Sequence, residues 1–233
     1  MKVRVKFRKY GVMKFIGHLD VMRYFQKAIR RAEIPIAFSG GYSPHMIMSF
    51  ANPLGVGLTS DGEYFDIELK EPIASSEAVA RLNAQMVEGM EILSFVEIPD
   101  DKKNKGMSIV AGASYLSIPR KGTLPAGWEE KLKEFYRRDT ITVVKTTKKS
   151  EKEVNIRPMI YELEARSQAI YMKVAAGSTQ NLKPELVTEA FLQYIGCSEE
   201  VSFAQHRLEN YADTGTEGAP HFVPLDALGW EIA

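Results

Sequence analysis

"KVRVKFRKYGVMKFIGHLDVMRYFQKAIRRAEIP", residues 2–35, holds two repeats in succession. Val3, Val5 and Phe7 alternate with Arg4, Lys6 and Arg8. That is the two-residue period of a strand with one apolar and one charged face. From Gly17 on, Leu19, Met22, Phe25, Ala28, Ile29 and Ala32 recur at three- and four-residue spacing, the apolar stripe of a helix, and Pro35 marks its end. The chain therefore opens strand–helix, and everything downstream is read against that start.

Working outward, HMIMSF (45–50) reads as a short strand and SDGEYFDIEL (60–69) as a second. SSEAVARLNAQM (75–86) reads as a helix opened by Ser75 or Ser76, and MEILSFVEIP (90–99) as a strand. The order is β-α-β-β-α-β. DDKKNKG (100–106) is a polar linker, after which the order returns. SIVAGASYLSIP (108–119) reads as a strand and GWEEKLKEFYRRD (127–139) as a helix. Residues 140–166 read as two strands around a charged hairpin, and QAIYMKVAAG (168–177) extends the sheet. KPELVTEAFLQYIG (183–196) is a helix with Pro184 in its first turn and Gly196 past its end, and residues 199–211 are a last strand. The pattern predicts an α+β protein of two tandem ferredoxin-like domains, 1–99 and 107–211, followed by an irregular Gly/Pro-rich tail, 212–233. Each domain would have a four-stranded antiparallel sheet with both helices on one face. The other face would be free for a partner, a ligand or the second domain.

Lys+Arg and Asp+Glu are equal at 30 each, but the charge is segregated. Residues 1–35 hold ten bases (Lys2, Arg4, Lys6, Arg8, Lys9, Lys14, Arg23, Lys27, Arg30, Arg31) against Asp20 and Glu33. Residues 36–99 hold nine acids against Lys70 and Arg81. Such asymmetry builds a positive face on a neutral protein. The one cysteine, Cys197, excludes an internal disulfide and any all-cysteine zinc or iron–sulfur site on this chain alone. No signal peptide is expected, because the first residues alternate basic and apolar, and no apolar run is long enough for a membrane span. A cytoplasmic location is the expectation.

Arg23, Lys27, Arg30 and Arg31 fall at i, i+4, i+7 and i+8, one helix face opposite the apolar stripe. That face reads either as a solvated side or as a stripe that tracks phosphates. Arg4, Lys6 and Arg8 strengthen the second reading if they point the same way. In GHLD (17–20), Gly17 is the N-cap and Asp20 the N3 residue, half of a capping box, with His18 in the first turn. SGGYSPH (39–45) and NPLGVG (52–57) are flexible turns around the 45–50 strand. Their exposed N–H groups suit an anion, and Tyr42 offers a stacking face. Neither a Walker A nor a dinucleotide spacing occurs. His18, His45 and Asp20 would make a thin metal site or an acid–base pair if the fold joined them, and no metal is assigned. Lys145, Lys148, Lys149, Lys152 and Arg157 mark a basic hairpin that is either solvated or a phosphate-gripping arm.

Residues 5–69 resemble the radical-SAM-linked protein family. The residues that fit are His18, Leu19, Asp20, Arg23, Arg30, Arg31, Ala32, Pro35, Ser39, Gly41, Pro44, His45, Pro53, Leu54 and Gly57. Gly17 stands where the family commonly has serine. VNIRP (154–158) and GSTQNLKPELV (177–187) resemble later, weaker blocks, so the likeness runs over about residues 1–210. The resemblance implies a radical-SAM protein as partner and no cofactor on this chain, whose single cysteine leaves the cluster to that partner. It also implies a rim of His18, Asp20, Ser39, Gly41, Pro44 and His45. Three functions follow as expectations. The first is a non-catalytic RNA-binding or adaptor module that presents tRNA or rRNA to the radical-SAM enzyme, through Arg23, Lys27, Arg30, Arg31, Tyr42, Lys148, Lys149 and Arg157. The second is an endoribonuclease-like enzyme with His18 or His45 as general base. The third is a protein-binding partner without RNA contact.

Overall fold

Val3, Val5 and Phe7 are buried on one face of β1 (Lys2–Lys9), as their alternation predicts. They pack beneath α1 (His18–Arg31) and α2 (Ser75–Asn83) in a core built on rings: Phe7 and Phe25 lie 4.7 Å apart, Phe25 and Phe65 4.8 Å, Phe50 and Phe65 5.4 Å. The computed structural model describes residues 1–101, 104–147, 150–197, 200–216 and 218–233. The protein is α+β, with a large, mostly antiparallel sheet and five helices among the described residues.

β2 (Met48–Phe50), β3 (Thr59–Glu68) and β4 (Met90–Ile98) complete the first half, in the antiparallel order β4-β1-β3-β2. α3 (Gly106–Ile109) is one helical turn where the sequence predicts strand, and β5 starts only at Val110 (Val110–Lys121). α4 (Trp128–Tyr136) follows. The expected two-stranded charged hairpin is instead three strands: β6 (Thr142–Thr147) and β7 (Ser150–Asn155) form their own ribbon, and β8 (Ile160–Arg166) joins the main sheet. β9 (Ala169–Ala175), α5 (Pro184–Tyr194) and β10 (Ser202–Asp213) give the second half the antiparallel order β10-β5-β9-β8. Its own core gathers Trp128, Leu132, Phe135, Met172 and Phe191.

The two halves do not hold separate sheets. β10 pairs in parallel with β3, His206 with Thr59 and Arg207 with Ser60, so one nine-stranded sheet runs through both. The reason lies on β3's outer edge. β2 is three residues long and occupies only Phe65–Ile67, which leaves Thr59 and Ser60 open. Gly62 makes the close approach possible: a Cβ there would lie 2.7 Å from the Glu209 Cα.

Nor is the second face of the first sheet free. Arg4 points there and is fully buried. Its Nε and Nη2 donate to Asp66 at 2.8 and 3.0 Å, Nη1 to the Leu225 carbonyl at 3.1 Å, and Nη2 to the Asn104 carbonyl at 2.7 Å. The linker and the tail thus cover the face, because a buried guanidinium needs carbonyls that only irregular backbone offers. The tail, expected to be irregular, is partly ordered. β11 (Phe222–Pro224) pairs with β10, Leu225 is fully buried, and the Ile232 N–H donates to Ser75 Oγ at 2.8 Å.

Candidate nucleic-acid interface

On α1 the apolar stripe buries Val21, Phe25, Ala28 and Ile29. Leu19, expected in that stripe, is 59% exposed, because the stripe starts only at Val21, one turn in from the open end of the helix. On the opposite side Arg23, Lys27, Arg30 and Arg31 are all exposed, as their spacing predicts. Arg23 makes a 3.4 Å contact with Asp20, itself exposed. Among the described residues no ion pair or hydrogen bond engages the side chains of Lys27, Arg30 or Arg31. Arg30 and Arg31 stand in the last turn, where the helix dipole favours cations.

The strand cations do not join this stripe. Arg4 is spent on the covered face. Lys6 Nζ donates to Glu209 at 2.5 Å and Arg8 Nη2 to Asp61 at 2.8 Å. Their phase on β1 sends them to the side of the sheet away from α1.

Gly17 caps α1 without a side-chain hydrogen bond, so the capping box is half made, as expected. Before it, residues 11–15 form a 3-10 turn that presents Val12 (73% exposed) and Phe15 (66%), three residues apart and so on one side. The 52–57 loop lies against them. The Gly57 N–H donates to the Lys14 carbonyl at 2.8 Å, and Val56, 60% exposed, borders Gly17. Val12, Phe15, Leu19 and Val56 form an exposed apolar knob beside the cationic stripe.

The 39–45 segment is a loop closed at its base by a Phe38–Met46 bridge. The Ser39 N–H donates to the His45 carbonyl at 2.8 Å, and the His45 N–H donates to Ser39 Oγ at 3.1 Å. The Ser39 hydroxyl also meets His45 Nδ1 at 2.8 Å. Gly41 has φ +96°, a value that favours glycine, and beside it Tyr42 is fully exposed at the tip with Pro44 also exposed.

His18 and His45 serve different environments. His18 is half-buried, edge-on to Phe50 with ring centroids 5.0 Å apart, and burial pushes its pKa down, favouring the neutral ring. It lines a cavity of about 10 Å³ with Pro53, Leu54, Lys9 and Glu63. Among the described residues no three His, Cys, Asp or Glu side chains gather as a metal site, so His18, Asp20 and His45 are not brought together as one.

The buried charges behind this surface have no counterpart in the sequence reading. Lys9 is 2% exposed, and its Nζ donates to the Ile16 carbonyl at 3.0 Å. Arg207, from β10, donates from Nη1 to Glu63 at 2.8 Å and to the Asn52 carbonyl at 2.7 Å. Burial pushes Lys9 down and Glu63 up, and Lys9 and Glu63 attract each other against that. Two buried cations around one carboxylate thus hold Ile16, just before α1, and Asn52, at the start of the 52–57 loop. Lys9 continues the inward phase of Val3, Val5 and Phe7, and Glu63 that of Phe65 and Ile67, which was the available signal. His206 of β10, half-buried, also reaches the first half, with Nδ1 2.8 Å from Thr59 Oγ1 and Nε2 2.9 Å from Asp61.

In the second half Arg157 is committed. Its Nε and Nη1 donate to the carbonyls of Tyr136 and Ile160 at 2.9 and 3.1 Å, and it stacks 4.2 Å over the Tyr136 ring. Lys148 and Lys149 lie outside the described residues. Among the described residues no helix is long and apolar enough to cross a membrane.

Among solved structures, a chain in the "Crystal Structure of a Cbf5-Nop10-Gar1 Complex" is similar at TM-score 0.45 and 10% identity, over 89% of this chain and 48% of that one. This chain thus spans about half the length of that neighbour. No curated protein matches the sequence. The family model described as "Uncharacterized protein conserved in bacteria" (DUF2344) matches residues 2–184 of the 233, and the chain belongs to that family.

Proposed function

We propose that this chain is a non-catalytic, RNA-binding adaptor module that presents tRNA or rRNA to a radical-SAM partner enzyme in the cytoplasm. The observation that carries the reading is the exposed face of α1, where Lys27, Arg30 and Arg31 stand beside Arg23 without ion pairs among the described residues. Cations left unpaired on one rigid face release counterions when phosphates replace them, which makes such a face a polyanion site. Tyr42, fully exposed on its closed loop, supplies a ring for an unstacked base. The rim of the site is His18, Asp20, Ser39, Gly41, Pro44 and His45, of which His18 packs inward and supports.

The adaptor half of the reading draws on the apolar knob of Val12, Phe15, Leu19 and Val56, a surface suited to a protein partner next to the RNA face. With one cysteine on the chain, the thiolates of an iron–sulfur cluster come from the partner. We read the chain as two ferredoxin-like units, 1–99 and 107–211, with a tail at 212–233. What supports this is the repeated strand order, fourth-first-third-second, in β4-β1-β3-β2 and β10-β5-β9-β8.

The test is what travels with the protein. Purified at low salt, it carries nuclease-sensitive absorbance at 260 nm, and the triple variant Arg23→Glu, Arg30→Glu, Arg31→Glu does not. A preparation free of nucleic acid that still retains a radical-SAM protein would replace this reading with that of a protein-only partner.

One observation favours histidine-dependent RNA cleavage as a second reading. In the tautomer whose Nδ1–H donates to Ser39 Oγ, His45 on its exposed loop keeps Nε2 unprotonated as a general base for a 2′-hydroxyl. Cleavage of bound RNA that His45→Ala abolishes supports it; binding without cleavage removes it.

A further inference from the structure

A cavity of about 490 Å³ opens on the face of the first sheet away from α1 and α2, at the end the tail does not cover. That volume is in the range of small-molecule sites. Ile47 beside β2, Ile98 of β4 and Met107 of α3 give it apolar walls, and Lys2, Asp66, Glu68, Asp101 and Lys105 border it with charge. Lys2 pairs with Asp100, and Asp66, which also borders the cavity, is consumed by Arg4 and by the Gly106 N–H at 2.7 Å. Glu68 stands opposite Lys2 in the β1–β3 pairing and attracts it, yet among the described residues its carboxylate accepts no hydrogen bond, and the Lys105 ammonium makes no ion pair or hydrogen bond.

The ligand chemistry follows from that set. Thioether and aliphatic walls accept a flat ring on both faces. A free carboxylate accepts N–H donors from the ring edge, as acidic side chains do from amino groups of bases. A free ammonium takes an anionic tail. The cavity is also tied to the Tyr42 loop. The Ala37 N–H donates to the Glu68 carbonyl at 2.7 Å, the Ile47 N–H to the Ala37 carbonyl at 3.0 Å and the Glu68 N–H to the Ile47 carbonyl at 3.3 Å. Both arms of that loop therefore spring from the cavity's edge. We propose that this cavity binds a nucleotide whose base carries an exocyclic amine, with Glu68 reading the amine and Lys105 the phosphate. The choice of a nucleotide rests on the nucleic-acid reading above. The nucleotide comes either from single-stranded RNA or from the free pool.

The experiment follows ¹³C-methyl methionine signals, with Met107 assigned through Met107→Leu. AMP, CMP, GMP, UMP and ribose 5-phosphate are titrated separately. AMP, CMP and GMP shift the Met107 methyl saturably, and leave the methyl of Met172, buried in the second core, in place. UMP binds more weakly, ribose 5-phosphate leaves the Met107 methyl in place, and Glu68→Gln weakens the amino bases by roughly tenfold while UMP is unaffected. Absence of shifts with every nucleotide overturns the proposal, as does a response to UMP equal to that of AMP, or to ribose 5-phosphate equal to either. A short oligonucleotide that acts at lower concentration than the free nucleotides identifies RNA as the source; the reverse identifies the free pool. The triple α1 variant separates the two readings. It loses RNA but keeps the AMP shifts. RNA binding without nucleotide shifts removes the cavity proposal alone, and nucleotide shifts without RNA binding remove the RNA reading alone.

Discussion

Arg207 Nη1 donates to Glu63 Oε1 at 2.8 Å across the seam between the two halves, and both side chains are almost fully buried. One side chain of the second half thus sets the surface of the first, since Glu63 also attracts the Lys9 that holds Ile16. Removing one partner of a buried pair strands the other's charge. Glu63→Ala is expected to lower stability by about 3–5 kcal/mol, measured by urea unfolding. Glu63→Met with Arg207→Met loses less than Glu63→Ala alone. Equal losses would mean the pair acts by shape and not by charge.

Gly62 sits where β10 reaches β3, with Glu209 Cα and the Leu208 carbonyl 2.7 and 2.8 Å from where a Cβ would stand. Backbone atoms cannot yield there as a flexible side chain does. Gly62→Ala is expected to cost about 1–3 kcal/mol and to weaken amide-exchange protection at Thr59 and Ser60 first. Unchanged protection at these two amides contradicts the seam.

Gly17 carries φ −80° and ψ 169°, angles open to any residue, and a Cβ there would meet only Val56 at 3.9 Å. Gly17→Ser adds the missing cap oxygen and reduces unfolded-chain freedom. A gain of about 0.5 kcal/mol in thermal unfolding is expected. A loss would mean the cap geometry is wrong.

His18 has its folded pKa pushed below the ordinary 6.5 by burial. A depressed pKa gives stability that is present above the unfolded value and is lost as pH falls through the folded one. The wild type therefore loses stability on acidification from about pH 6.5 downward. His18→Phe, which keeps the edge contact with Phe50, flattens that part of the profile. Identical profiles for the two proteins would place the acid sensitivity elsewhere.

How much of this was legible differs by element. The strand and helix of residues 2–35 follow from their two periods, and the exposed Arg23–Arg31 face follows from spacing alone. Arg4 was misleading. Its outward phase reads as solvated, yet the tail, more than two hundred positions downstream, supplies the carbonyl of Leu225. Lys9 and Glu63 were legible in principle, as charges in an apolar phase. The β3–β10 seam was not, because the pairing joins residues 147 apart and is only two pairs long, too short to leave a pattern.

Binding of RNA by the cationic face of α1 is tested by the salt dependence of RNA affinity. Fluorescence anisotropy with labelled tRNA is followed from low to moderate salt, for the wild type and for the Arg23→Glu, Arg30→Glu, Arg31→Glu variant. Three or four phosphate contacts give a log–log slope of roughly −2 to −3. That slope is expected in the wild type, and its collapse, with at least about a tenfold loss of affinity at low salt, in the variant. Equal affinity and equal slope in the two proteins would contradict it.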